Sequence, residues 1–100
     1  MINIKITKEN DFVKEVIIKG HSGYDEIGKD IVCASVSSIA TTTLNAIIRL
    51  ESDLVDYKSQ DGFLEIKLKK NDRVINILMN NMIDLFKDLV EDYPKNIKIN

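Results

Sequence analysis

Two stretches of this chain, Ile31 to about Leu50 and Arg73 to about Asp92, carry apolar residues at spacings of three and four. Each follows two short segments with the alternation or β-branched content of strands. A period near 3.6 belongs to a helix with one buried face, and a period of two to a half-buried strand. With a short alternating segment at the end, the order reads ββαββαβ. Such a chain buries its apolar faces by laying two long helices on one face of a mostly antiparallel sheet, an α+β two-layer sandwich. Strand order is not readable from the pattern.

Taken in order, Ile2, Ile4 and Ile6 alternate with Asn3 and Lys5, and Lys8 to Asp11 are polar and turn-like. Phe12 to Lys19, with Val13, Val16, Ile17 and Ile18, completes a hairpin. In the first helix Val32, Val36, Ile39, Ala40, Thr43, Ile47 and Leu50 form the stripe. Thr41 to Thr43 are poor helix formers, so this turn needs a packing partner, either the sheet or a second subunit. Leu54 to Lys58 reads as a strand, Ser59 to Gly62 as a turn, and Phe63 to Lys69 as the next strand. Asn71 or Asp72 caps the second helix, whose stripe is Ile75, Leu78, Met79, Met82, Leu85, Phe86 and Leu89. Pro94 stops it, and Ile97 and Ile99 mark a terminal strand.

One hundred residues, 44% hydrophobic and 30% charged, suit one folded domain over residues 1–100. A net charge of -2 gives no sequence-wide field for nucleic acid, and Lys67, Lys69 and Lys70 read as a solvated edge. No direct nucleic-acid contact is expected. No run is expected to reach membrane-spanning length, and the first residues lack the pattern of a signal peptide. The single cysteine makes no intrachain disulfide, which fits a reducing cytoplasm.

That cysteine, Cys33, and the single histidine, His21, flank a loop bounded by glycines. His21 follows Gly20 at a strand end, and Tyr24 and Ile27 are apolar residues with which the loop can fold down over a ligand. If Asp30 is the N-cap, Cys33 is the third helical residue. Its sulfur then lies near amides without intrahelical partners and near the positive end of the helix dipole, both of which favour thiolate. A histidine within reach supplies a base, and the same amides can hold an oxyanion. The other reading makes Cys33 a small core residue and His21 a loop residue. One Cys and one His do not fill a tetrahedral metal site, so neither metal nor cofactor is expected.

Gly20-His21-Ser22, and Gly28-Lys29-Asp30-Ile31-Val32-Cys33-Ala34-Ser35-Val36-Ser37, resemble the signature of the ribosomal-processing cysteine protease family, Prp. The resemblance spans the chain in length and element order. It implies a cysteine endopeptidase that removes the N-terminal extension of large-subunit ribosomal protein twenty-seven, with Cys33 as nucleophile and His21 as general base and then acid. It also implies a homodimer and a mobile loop, for which Gly20, Gly23 and Gly28 are the candidate hinges. Ser22 and Ser35 stand where the family commonly has alanine, and the Ser22 hydroxyl is placed to compete for the imidazole. Asp30 is either the helix cap or a third member orienting His21. Ser37, one turn beyond Cys33, either bonds near the site or bonds back to the helix. Tyr24 touches substrate or covers apolar surface. The rival readings are a non-catalytic ribosome-assembly adapter that binds the same protein or ribosomal RNA, and a structural dimerisation domain.

Overall fold

The computed structural model describes residues 1–26 and 28–100, so the expectation for Ile27 lies outside the described residues. The elements are β1 (Ile2–Glu9), β2 (Phe12–Lys19), α1 (Ile31–Glu51), a 3₁₀ turn (Ser52–Leu54), β3 (Val55–Gln60), β4 (Phe63–Leu68), α2 (Arg73–Asp92) and β5 (Ile97–Ile99). The two helices cover one face of a five-stranded sheet in the order β3-β4-β2-β1-β5. All neighbours are antiparallel except β5, which runs parallel to β1.

The first hairpin is tighter than the polar run from Lys8 to Asp11 suggests. Strand β1 continues to Glu9, and only Asn10 and Asp11 turn, with φ of 52° and 68°. Short polar side chains tolerate these angles, which a two-residue type I′ hairpin requires at both positions. The ladder slips between Thr7, opposite Glu15, and Lys8, opposite Val13. The extra residue is a bulge, and it lets both Val13 and Val16 face inward although their spacing is odd. In the second hairpin β3 runs through Ser59 and Gln60, leaving Asp61-Gly62 as the turn.

The core is filled by Ile4, Val16 and Ile66 from the sheet, Val32 and Ile47 from α1, and Met79, Met82 and Phe86 from α2, all fully buried. Each contributes roughly 1.5–3 kcal/mol relative to an exposed position. The stripes differ from expectation at their margins. In α1, Leu44 is buried while Leu50 stands 55% exposed in the last turn, beyond the packed part of the helix. In α2, Ile83 is buried and Leu85, on the opposite margin, is exposed. Thr43 is buried with its hydroxyl donating to the Ile39 carbonyl at 2.9 Å, so the threonine run meets the core through one member only.

The outer face of the sheet sets Glu15 opposite Lys67 and Lys58 opposite Glu65, and Lys69 lies 3.5 Å from Asp56. These lysines are therefore interleaved with acids. The expectation that no run reaches membrane-spanning length is corrected: Ile31–Leu54 is 24 residues long with a mean hydropathy of 1.7 over its most apolar window. Small, β-branched and hydroxyl residues keep charge out of its first eighteen residues, 31–48. In the fold its apolar stripe is a core stripe, with Val32, Val36, Ala40, Leu44 and Ile47 buried.

Candidate functional site

Strand β2 ends at Lys19, and one further bond, from the Gly20 amide to the Gly62 carbonyl at 2.8 Å, extends the β2–β4 contact before the chain turns away. Gly20 has φ of 96°, and a Cβ there would drive into the Met1 carbonyl oxygen, so glycine is required on both counts. His21 follows at the rim of the sheet and is exposed. Its imidazole rests on Gly62: a Cβ on Gly62 would stand 2.9 Å from Nε2. The Asp-Gly turn of the second hairpin thus serves as a seat for the ring.

Asp30 caps α1 with extended backbone, and its Oδ1 accepts from the Val32 and Cys33 amides at 3.0 and 2.9 Å. Its Oδ2 accepts from the Ser22 hydroxyl and from the Tyr24 and Asp25 amides at 3.1 and 3.3 Å. Burial acts to raise this carboxyl. The bonds from Ser22, Cys33, Asp25 and Tyr24 outweigh it and bring it from the ordinary 3.8 down to about 2. With helix donors on Oδ1 and loop donors on Oδ2, Asp30 fastens the loop to α1. No bond joins it to His21 among the described residues, which leaves the cap reading in place of the orienting one.

Two further expectations are corrected by the same bonds. Three amides of the first turn are already engaged: Val32 and Cys33 donate to the Asp30 carboxylate and Ala34 to the Asp30 carbonyl. The sulfur of Cys33 instead takes its amide donor from the loop, the Ser22 N–H at 3.2 Å, and the Ser22 hydroxyl lies 3.5 Å away. That hydroxyl does not compete for the imidazole. Ser22 is 3% exposed, with its side chain committed to Asp30 and Cys33.

Cys33 is half-buried, and it shares with His21 a cavity of about 750 Å³ between the loop, the start of α1 and the β3–β4 hairpin. Ile18, Val36, Ala40, Phe63 and Leu64 give this cavity an apolar wall, and Asp25, Glu26 and Asp61 stand on its lining. Ser37, Gly23 and Gly28 also line it, while Ser35 bonds back to the Ile31 carbonyl at 2.7 Å. Tyr24 is half exposed and meets Tyr93 edge to face, with ring centroids 5.4 Å apart. Sequence reasoning missed Tyr93 and Asn96, which follow α2 and touch the loop; Asn96 donates from Nδ2 to the Ser22 carbonyl at 3.0 Å. No local periodicity marks either residue, because each works through a contact with a distant part of the chain.

A thiol with an amide donor and an imidazole lining the same cavity are the parts of a nucleophile and a base. The family model described as Cysteine protease Prp matches residues 1–98. The chain is 33% identical to a ribosomal processing cysteine protease Prp of Staphylococcus aureus, over 100% of this chain and 98% of the relative. Its fold superposes with a TM-score of 0.93 on the S. aureus ribosomal processing protease Prp solved with a covalently linked product peptide (33% identity, 100% of this chain, 98% of the other). For the same protease solved with a substrate peptide, the TM-score is 0.87 at 32% identity, with the same coverage.

Proposed function

The chain belongs to the cysteine protease Prp family, and from that premise we propose that Cys33 is the nucleophile and His21 the general base of an endopeptidase that trims the N-terminal extension of large-subunit ribosomal protein twenty-seven. The observation that carries this reading is that Cys33 and His21 line one cavity large enough for several residues of peptide. The relatives' function, ribosomal processing, supports the substrate class.

In this reading the substrate lies extended along the cavity, with an apolar side chain against Phe63, Leu64, Val36 and Ala40. The Cys33 thiol gives its proton to the imidazole, and the sulfur attacks the scissile carbonyl carbon. The tetrahedral intermediate collapses as His21 returns the proton to the leaving amine, and a thioester remains. Water, deprotonated by His21, then attacks the thioester, releasing the acid and restoring the thiol. A product peptide covalently linked to the S. aureus protease supports a route through a covalent enzyme–peptide species. Seating on Gly62 leaves the imidazole exposed for both proton transfers. The loop bounded by Gly20, Gly23 and Gly28 admits the peptide. The enzyme acts in the cytoplasm as a homodimer, and light scattering on the purified protein checks the dimer.

The test is to incubate the protein with a peptide spanning the ribosomal protein's extension and to identify products by mass spectrometry, with Cys33→Ala alongside. A single cut by the wild type and none by the variant is expected. Equal cleavage by both would remove Cys33 from the mechanism. No cut by the reduced, folded wild type would favour an assembly adapter.

A further inference from the structure

We propose that Asn96 is a positioning residue for Cys33, acting through the backbone of Ser22; the inference rests on the assignment of Cys33 as nucleophile. The Asn96 side-chain amide donates to the Ser22 carbonyl at 3.0 Å, and the Ser22 N–H donates to the Cys33 sulfur at 3.2 Å. One residue of the loop is therefore held from behind while it faces the thiol.

The loop needs such a hold. Among the described residues between Gly20 and Asp30 no strand ladder continues, and Gly20 and Gly23, on either side of His21 and Ser22, both have positive φ. The Asn96 main chain is itself fixed: its N–H donates to the Tyr93 carbonyl at 3.0 Å, and its carbonyl accepts from Ile2 at 2.9 Å. Its side chain thus projects from an anchored point at the start of β5. Tyr93 adds a second grip, its ring against Tyr24 on the far side of Gly23. The hold from the C-terminal segment is independent of the Asp30 bonds, which reach the loop from α1.

An amide donor to sulfur favours thiolate over thiol. Freeing the Ser22 carbonyl lets this donor wander and the sulfur loses its fixed backbone partner, while the charged and titratable groups around it, Asp30 beside Ser22 and His21, Asp25, Glu26 and Asp61 on the cavity, stay as they are. The chemistry of Asn96 itself is never used; its effect is transmitted through Ser22 N–H.

The experiment follows the rate of Cys33 alkylation by iodoacetamide against pH in the wild type, in Asn96→Leu and in Asn96→Asp, with peptide cleavage measured in parallel. Both variants keep the size of the side chain and the two backbone bonds, and both lack the donor. The expected result is a midpoint moved to higher pH, with alkylation and kcat near neutrality down about fivefold, the size of one neutral hydrogen bond. A profile that coincides with the wild type in either folded variant overturns the proposal, since a merely structural role lowers the melting temperature without moving the midpoint. Alkylation needs no peptide. A peptide left uncut by the wild type would thus count against the protease reading, while the alkylation profiles still decide the role of Asn96.

Discussion

Both long helices begin with an aspartate, and the two aspartates have different neighbours. Asp72 accepts from the Ile75 amide at the start of α2, the ordinary work of a cap. Asp30 does the same for α1 and also gathers the Ser22 hydroxyl and the Tyr24 and Asp25 amides. The residue type and the local rule are shared. What differs is the segment in front: a three-residue link from β4 to Asp72 at α2, and a glycine-bounded loop carrying His21 at α1. A generic cap becomes the organiser of a site when a loop without its own ladder has to be fastened somewhere.

The largest expected difference comes from removing each cap. Asp30→Ala should lower cleavage at least tenfold and stability by about 1–2 kcal/mol, while Asp72→Ala should cost about 1 kcal/mol with cleavage unchanged. Kinetics and thermal unfolding on the pair decide it, and equal losses of activity would erase the distinction. Next in size is the seat of the imidazole. Gly62→Ala presses a methyl group against His21, and cleavage should fall about tenfold. Since φ at Gly62 is 66°, the fold is expected to lose about 1 kcal/mol as well. Asp11→Ala, which strains the turn of the first hairpin at φ of 68° without touching the ring, should leave cleavage unchanged; if it does not, lost stability and not the ring contact is at fault.

The smallest effect is in acid. The Asp30 carboxyl is lowered in the fold, so its contribution to stability is complete above the ordinary 3.8 and is lost as pH falls toward about 2. Denaturant titrations between these limits should show that slope in the wild type and a shallower one in Asp30→Asn. The same titration of Asp72→Asn supplies the reference.

The sequence made much of the frame legible. Strand β2 and helix α2 fall on the residues that their patterns predict, because each is long, periodic and bounded by a turn or a cap. The bulge in the first hairpin hid from a strict period of two, and β3 ran two residues into what composition assigns to a turn. The order β3-β4-β2-β1-β5 has no local signal, since it depends on which strand edges remain when the helices have packed. At the site, His21, Cys33 and the cap at Asp30 stand in one short motif and could be read together. The use made of the first-turn amides could not, because it turns on where five donors around one carboxylate settle in space. Nor could Tyr93 and Asn96, whose contacts with the loop span most of the chain.

That last separation bears on how the molecule is made. A ribosome releases the chain from its N-terminus, so His21, Asp30 and Cys33 emerge well before α2 has been synthesised. The loop contact with Tyr93 and Asn96, and the pairing of Ile2 with Asn96, become available only after α2 has left the exit tunnel. During synthesis the loop that carries the imidazole is therefore held from the α1 side alone. Completion of the chain, rather than appearance of its motif, sets the moment at which the loop is gripped from both directions.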